Sequence, residues 1–193
     1  MHPLDWLLRK VLPLGLAAVA ATLLLVGWTT EPNRLEVGFA PKQPIPFSHK
    51  VHAGTNKIQC LYCHSGATKS RYAGYPPVES CFNCHRAAKA GTDTIRELAR
   101  IFENGTALEW KRVHRLPDHV YFDHRPHVNN GIDCTACHGD VKNMELLEQN
   151  MSMRMGNCLN CHRDVHGYID DAEQLLGLAP DLVGAENCNA CHR

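Results

Sequence analysis

The longest apolar stretch of the chain lies near its N-terminus. Val11 to Trp28 carry no charged side chain and follow directly after Arg9 and Lys10. A helix of that length is about 27 Å long, close to the hydrocarbon thickness of a bilayer. Basic residues beside a span are retained in the cytoplasm. Residues 1–30 are therefore predicted to form a single transmembrane helix in a bacterial cytoplasmic membrane, with the rest of the chain on the periplasmic side.

A cleaved signal peptide is the alternative interpretation of this stretch. Ala18 to Ala20 resemble a small-residue cleavage site. Leu23 to Val26, however, continue the apolar run beyond that point. We therefore expect the segment to stay attached as an uncleaved membrane anchor.

The remaining sequence shows little regular hydrophobic periodicity. Repeated prolines in residues 31–46 predict an extended tether. Thr94 to Glu97 have the sequence of a capping box, and Asn104 with Gly105 predicts the end of the helix that follows. The apolar residues that share one face of this predicted helix are Ile95, Leu98, Ala99 and Phe102.

Two weaker helices are predicted over residues 144–153 and 171–176. No alternation of apolar and polar residues predicts a strand. The expected fold class is a mostly irregular and α-helical domain with few short helices, plus the N-terminal transmembrane helix.

All ten cysteines fall into five copies of Cys-x-x-Cys-His. In a c-type cytochrome the two thiols bond to the haem vinyl groups, and the adjoining imidazole binds the iron. The cysteine pairs are Cys60 and Cys63, Cys81 and Cys84, Cys134 and Cys137, Cys158 and Cys161, and Cys188 and Cys191. The histidines that follow them are His64, His85, His138, His162 and His192.

Two other kinds of site use paired cysteines. Zinc ribbons and disulfide frameworks do so, but neither requires a histidine after every second cysteine. The motifs therefore predict five covalently bound haem c groups and a pentahaem cytochrome c. About 32 residues per haem remain after the anchor, which is little chain for an ordinary hydrophobic core. The 20 basic and 20 acidic side chains balance, so no nucleic-acid partner is indicated.

A longer pattern, Phe-x-His-x-x-His, precedes two of the attachment motifs. Phe47 to His52 lie before the Cys60 and Cys81 motifs, and Phe122 to His127 lie before the Cys134 and Cys158 motifs. The repeat predicts two di-haem modules. The resulting division is a first module at 47–86, a helical connector at 87–121, a second module at 122–165 and a fifth-haem segment at 166–193.

Histidines outside the motifs are candidates for the second axial position of each iron. In each repeat we expect the first histidine to bind a haem of its own module and the second to bind a neighbouring haem. This assigns His49, His52, His124 and His127, with His114 as the fifth ligand. The reserve candidates are His119, His166, Met153 and Met155. Haems with both axial positions filled can only transfer electrons, so no catalytic residue is predicted.

The chain resembles the class III multihaem cytochromes at Phe-x-His-x-x-His before Cys-x-x-Cys-His. Further matches lie at residues 44–52, 110–122 and 137–141. With five attachment motifs and one anchor, it resembles the pentahaem subunit of bacterial alternative complex III. The resemblance covers roughly residues 41–165, whereas the C-terminal segment matches through its haem motif alone. His119 stands where an aromatic residue is expected, which leaves open whether His119 or His114 is the fifth ligand.

The resemblance implies a function and a set of partners. Such complexes oxidise quinol in the membrane and pass electrons through an iron–sulfur subunit and haems. Multi-span subunits bind the quinol. The acceptor is a monohaem cytochrome c, another periplasmic carrier or a terminal oxidase. The pentahaem subunit would act as an electron wire.

Two other functions are weighed against this interpretation. The first is a self-sufficient, membrane-anchored multihaem quinol dehydrogenase, which is an enzyme and holds a haem close to its anchor. The proline-containing tether between Trp28 and Cys60 disfavours that arrangement. The second is a multihaem reductase of a small nitrogen or sulfur compound, which the plentiful axial ligands disfavour.

Overall fold

The apolar N-terminal stretch is helical in the computed structural model, which describes residues 3–30, 36–164 and 184–192. It consists of α1 (Pro3–Trp6), a π-helical turn (Leu7–Val11) and α2 (Leu12–Thr29). The span Leu4–Thr29 is long and apolar enough to cross a membrane, and none of its apolar window is buried. A signal sequence has the same properties. Residues 1–38 form one compact unit, and residues 39–193 form a second.

The second unit is built from short helices joined by irregular segments. The α-helices among its described residues are α3 (Cys60–Cys63), α4 (Val78–His85), α5 (Asp93–Glu103), α6 (His124–Asn129), α7 (Thr135–His138), α8 (Met155–Arg163) and α9 (Cys188–Cys191). A π-helical turn spans Lys50–Thr55, and 3₁₀ turns span Ser65–Thr68 and Val141–Asn143. No strand occurs among the residues that the structure describes. The predicted mostly irregular and helical fold is confirmed.

A small apolar core surrounds α5. Ile95 and Leu98 on its inner face are buried with Ile45 and Leu108, and Phe82 of α4 packs against this cluster. The helix predicted from Ile95, Leu98, Ala99 and Phe102 is therefore confirmed, and it ends at Glu103, just before Asn104 and Gly105.

The predicted capping box at the start of this helix is wrong. Thr92 occupies the N-cap position and Asp93 begins the helix, so Thr94 already lies in the first turn. The side chain of Thr92 makes no capping hydrogen bond. Its hydroxyl donates to the carbonyl oxygen of Lys89 at 2.9 Å instead.

The helix predicted over residues 144–153 is also wrong, because these residues are irregular. Their backbone groups are hydrogen-bonded to other segments rather than to each other. The carbonyl oxygen of Met144 accepts from Lys50 N at 3.0 Å, and Gln149 N donates to Phe39 O at 3.1 Å. Gln149 is buried, with 2% of its surface exposed. The weaker helix predicted at 171–176 lies outside the described residues.

The two predicted modules are joined by direct contacts. Asn129 at the end of α6 donates from Nδ2 to the carbonyl oxygen of Thr68 at 3.2 Å. His124 N, at the start of the same helix, donates to Arg71 O at 3.3 Å. Helix α6 of the second module therefore packs along the chain that follows the Cys60 motif. The module boundaries themselves remain a prediction.

Candidate haem attachment sites

Each Cys-x-x-Cys-His motif forms or ends in a short helical turn. In the Cys60 motif, for example, His64 N donates to Cys60 O at 2.9 Å, and His192 N donates to Cys188 O at 2.8 Å in the fifth motif. Residues three apart in a helix lie on the same face. The two thiols of a motif therefore face the same side, and the histidine that follows lies at the end of the turn. This geometry suits attachment of two adjacent vinyl groups.

Three histidines of the Phe-x-His-x-x-His repeats lie opposite a motif histidine. A metal–imidazole bond is about 2 Å long and the ring centroid lies about 1.1 Å further, so two imidazoles on opposite sides of one metal ion have centroids about 6 Å apart. The observed centroid separations are 6.1 Å for His52 and His85, 6.4 Å for His124 and His138, and 6.0 Å for His127 and His162. These separations fit an iron between each pair.

The hydrogen bonds of these imidazoles leave one nitrogen free for a metal. His52 Nδ1 donates to Ser48 O and His127 Nδ1 to Asp123 O, both at 2.8 Å, and His124 Nδ1 donates to Arg71 O at 2.8 Å. A carbonyl oxygen only accepts, so Nδ1 carries the proton and the lone pair of the neutral ring is on Nε2. Histidine ligands of metal sites are oriented in the same way.

Four of the five motif histidines follow the same rule. Each donates its Nδ1 proton to a main-chain carbonyl oxygen. The pairs are His64 with Gly74 at 2.6 Å, His85 with Ala88 at 2.9 Å, His162 with Ala185 at 2.7 Å and His192 with His119 at 3.1 Å. The sequence could not single out these acceptors, since every residue type offers the same main-chain carbonyl. The donor set as a whole fits haem c.

His49 is the remaining histidine of the repeats. It lies near His64 and His52. Its pKa is lowered to about 4, mainly by burial and to a smaller extent by these two imidazoles. Its Nδ1 is buried and has no hydrogen-bond partner. Burial also lowers the pKa of His138 to about 4, and His114 is the imidazole that contributes most to this shift. Both rings are therefore neutral near pH 7, which is the form that binds a metal.

The phenylalanine of each repeat packs against both of its histidines. The ring of Phe47 lies 4.9 Å from that of His49 and 4.3 Å from that of His52. The ring of Phe122 lies 4.8 Å from that of His124 and 4.6 Å from that of His127. The sequence repeat marked these phenylalanines without revealing their role. Their rings hold the two imidazoles of a repeat at a fixed separation.

The fifth axial position is less regular. The predicted ligand His114 has its Nε2 3.3 Å from Nδ1 of His138, so this nitrogen faces another imidazole. The reserve His119 is exposed, and its ring lies 5.5 Å from that of His192, nearly parallel at 17°. Met155 is 64% exposed, whereas Met153 is half-buried. His166 lies outside the described residues.

Contacts between the attachment motifs link the first three in the order second, first, third. Asn83 Nδ2, in the second motif, donates to the hydroxyl of Tyr62 in the first motif at 2.9 Å. The thiols of Cys60 and Cys134, in the first and third motifs, are in hydrogen-bond contact. Burial is the main cause that raises the pKa of Cys134 to about 11, and Cys60 adds to it.

The third, fourth and fifth motifs follow in sequence order. Burial raises the pKa of Cys137 to about 11, and Cys161 of the fourth motif is the thiol that adds most to this effect. Gly184 N, just before the fifth motif, donates to the carbonyl oxygen of His162 at 2.8 Å. Arg163 and Glu186 form an ion pair at 3.2 Å across the same junction. The contacts thus link the five motifs in the order second, first, third, fourth, fifth.

Comparison with known proteins agrees with this geometry. Residues 120–193 match the family model described as cytochrome c7 and related cytochrome c. The chain carries a multihaem cytochrome c domain. Cytochromes of type c bind haem c covalently, as the cysteine pairs require. The matched segment includes the third, fourth and fifth motifs.

One curated relative spans most of the chain. The chain is 28% identical over 192 residues to the menaquinone reductase, multihaem cytochrome c subunit, of Nitratidesulfovibrio vulgaris (strain Hildenborough). The match covers 88% of this chain and 85% of the relative. The similarity is consistent with electron transfer in a membrane complex that reacts with quinone or quinol.

Proposed function

We propose that this protein is a membrane-anchored pentahaem cytochrome c that acts as an electron wire in a quinol-oxidising complex. The proposed complex is respiratory or photosynthetic and of the alternative complex III type. The observation that carries the proposal is the set of three imidazole pairs, 6.0–6.4 Å apart, whose Nδ1 atoms are taken by protein acceptors. Paired imidazoles fill both axial positions of an iron and leave none for a substrate.

The proposed ligand set follows from these contacts. Each cysteine pair would hold one haem, and the histidine of each motif would bind its iron. His52, His124 and His127 would bind the same irons as His85, His138 and His162. We assign His49 to the haem of His64, since these two histidines are close and the corresponding pair in the second module is His124 with His138. The fifth haem takes its second ligand from the reserve residues.

The protein itself is proposed to bind and orient, without a catalytic residue. Bound haem supplies one-electron transfer, and six-coordinate haem supplies nothing else. The order of the attachment motifs favours electron entry and exit at its two ends, beside the second and fifth motifs. The protein is therefore proposed as the electron-transfer subunit of an oxidoreductase rather than as an enzyme by itself.

The proposed partners lie in and beside the membrane. The N-terminal helix would be a single span with Arg9 and Lys10 on the cytoplasmic side and the cytochrome domain in the periplasm. An iron–sulfur subunit and multi-span quinol-binding subunits would supply electrons. A monohaem cytochrome c or another periplasmic carrier would accept them.

A second candidate reverses the direction of electron flow. The curated relative is named as a menaquinone reductase subunit, so the name favours electron delivery to menaquinone. The relative is also named as a subunit, which favours a role within a complex over a self-sufficient quinol dehydrogenase.

Purification from native membranes in mild detergent tests these proposals. The haem c content per chain is measured first, and five per chain is expected. Menaquinol is then added anaerobically while the reduced haem band is followed, and menaquinone is added to pre-reduced protein in a parallel sample. The control is the same chain after its partners have been dissociated.

The outcomes separate the candidates. Rapid reduction by menaquinol only in the intact complex supports the proposed wire. Rapid reoxidation by menaquinone, with little reduction by menaquinol, supports the reverse direction. Reduction of the isolated chain at the rate of the complex would mean that it has its own quinol site, which contradicts both. Fewer than five haems per chain would contradict the proposed cofactor count.

A further inference from the structure

His114 lies outside the attachment motifs, and its position in the structure is fixed by its neighbours. Val113 beside it is buried with 5% exposure. The side chain of Gln43 holds Lys111 through two hydrogen bonds, from Nε2 to Lys111 O at 3.1 Å and from Lys111 N to Oε1 at 2.9 Å. The segment that carries His114 is therefore anchored on both sides of Arg112.

His114 contacts the motif histidine of the third attachment site. Its Nε2 lies 3.3 Å from Nδ1 of His138, and the two rings are nearly perpendicular at 83°, with centroids 4.4 Å apart. On the other side, the ring of His138 lies parallel to that of His124 at 6.4 Å. His138 therefore lies between two imidazoles. That of His124 is placed to share an iron with it, and that of His114 contacts its Nδ1.

This contact sets His138 apart from the other motif histidines. His64, His85, His162 and His192 donate from Nδ1 to a main-chain carbonyl oxygen. An imidazole nitrogen is a much stronger base than an amide oxygen, because imidazole is half protonated near pH 6.5. A stronger acceptor draws the Nδ1 proton further from the ring and makes its Nε2 a stronger electron donor.

We propose that His114 is a positioning residue that accepts the Nδ1 proton of His138, and that it lowers the reduction potential of the haem attached at Cys134 and Cys137. The inference rests on the proposed haem ligation. It replaces the expectation that His114 is the fifth axial ligand, since its Nε2 is directed at His138. A more electron-donating axial ligand stabilises the oxidised iron, which is why the potential falls.

The test compares two variants of the full-length, haem-loaded protein. His114→Leu removes the acceptor and introduces an apolar side chain of moderate size. His114→Gln keeps an acceptor, an amide oxygen like those that serve the other motif histidines. Tyr75→Leu is the control, since it removes a ring that is 64% exposed and lies outside the proposed haem ligands. Haem content, the low-spin haem signal in electron paramagnetic resonance and the resolved reduction potentials are measured for each.

The expected result is specific to one haem. His114→Leu keeps the five haems and the native number of low-spin signals, while one potential shifts upward and one signal changes its g-values. His114→Gln shifts the same potential in the same direction by less, because an amide oxygen restores a weaker acceptor. Tyr75→Leu leaves all the potentials unchanged. If His114→Leu fails to mature, the smaller shift in His114→Gln decides the question.

Two results would overturn the inference without affecting the proposed function. Loss of one low-spin signal in both His114 variants would show that His114 is an axial ligand. Unchanged potentials and g-values in both would show that the contact has no influence on the haem. A native protein with fewer than five haems would contradict the proposed function itself, independently of His114.

Discussion

The two Phe-x-His-x-x-His repeats fold alike, although the first ends within a π-helical turn and the second within an α-helix. The first histidine of each repeat meets the phenylalanine edge-on, at 83° for His49 and 84° for His124. The second lies closer to parallel, at 20° for His52 and 34° for His127. The aromatic packing of the repeat therefore sets the local geometry, whichever helical form the backbone takes.

The residue after the phenylalanine also has the same role in both repeats. Ser48 Oγ accepts from Val51 N at 3.1 Å, and Asp123 Oδ1 accepts from Arg125 N at 2.9 Å. Small polar side chains at this position cap the backbone amides at the start of a helix. Both residues also accept the Nδ1 proton of the second histidine through their carbonyl oxygens.

The repeats differ where other segments approach them. His124 Nδ1 has a partner in Arg71 O, whereas the corresponding Nδ1 of His49 has none. In the motifs that follow, His64 is held by a carbonyl oxygen and His138 by the imidazole of His114. The first module and the connector thus hold the imidazoles of His124 and His138, whereas Nδ1 of His49 has no partner. Similar sequences produce similar local geometry, but the chain around them makes the sites unequal.

The largest expected effect tests the similarity of the modules. His52→Ala and His127→Ala should each convert one haem from low-spin to high-spin, so about one fifth of the low-spin signal is lost in either variant. Optical and electron paramagnetic resonance spectra measure this loss, and total haem content should stay constant. Tyr75→Phe at an exposed position is the control. A spectral change in only one of the two variants would contradict the prediction that His52 and His127 have the same role in their modules.

A medium effect tests a difference between the modules. Gly139, after His138, has φ 71° and ψ −166°, and a Cβ there would meet the side chain of Asn150. Such backbone angles are accessible almost only to glycine, so Gly139→Ala should lower the free energy of unfolding by about 1–3 kcal/mol. The corresponding residue of the first module is the exposed Ser65. Ser65→Ala should change it by about 0.5 kcal/mol or less.

Denaturant unfolding of the haem-loaded protein, followed by circular dichroism, measures both variants. Equal stabilities of Gly139→Ala and Ser65→Ala would show that the backbone after His138 can relax, and that the two motifs are not different in this respect.

The smallest effect sharpens the comparison of the repeats. Phe47→Leu and Phe122→Leu each remove aromatic contacts with two histidines, and each should cost about 0.5–1.5 kcal/mol of stability. The loss should be larger for Phe47, because its ring also meets Trp110 edge-on at 6.1 Å. The same unfolding measurement applies, with Phe39→Leu at an exposed position as control. A larger loss for Phe122 would contradict this ranking.

The helix predictions show how far periodicity alone can be used. Residues 93–103 have a continuous apolar face that buries Ile95 and Leu98, so their helix was predictable. Residues 144–153 carry good helix formers but are irregular, because Met144 and Gln149 bond to Lys50 and Phe39. Those partners are far away in sequence, so the helix propensity of residues 144–153 cannot reveal them.

By itself, the sequence determined the attachment motifs, the two repeats and the apolar N-terminal helix. These features depend on residue types at short spacing, and neighbours within one or two turns fix their geometry. Only the tertiary structure decided which imidazoles face each other, that His114 meets His138, and that the first and third motifs are adjacent. Such contacts join residues from distant parts of the chain, often through main-chain carbonyls that every residue type provides.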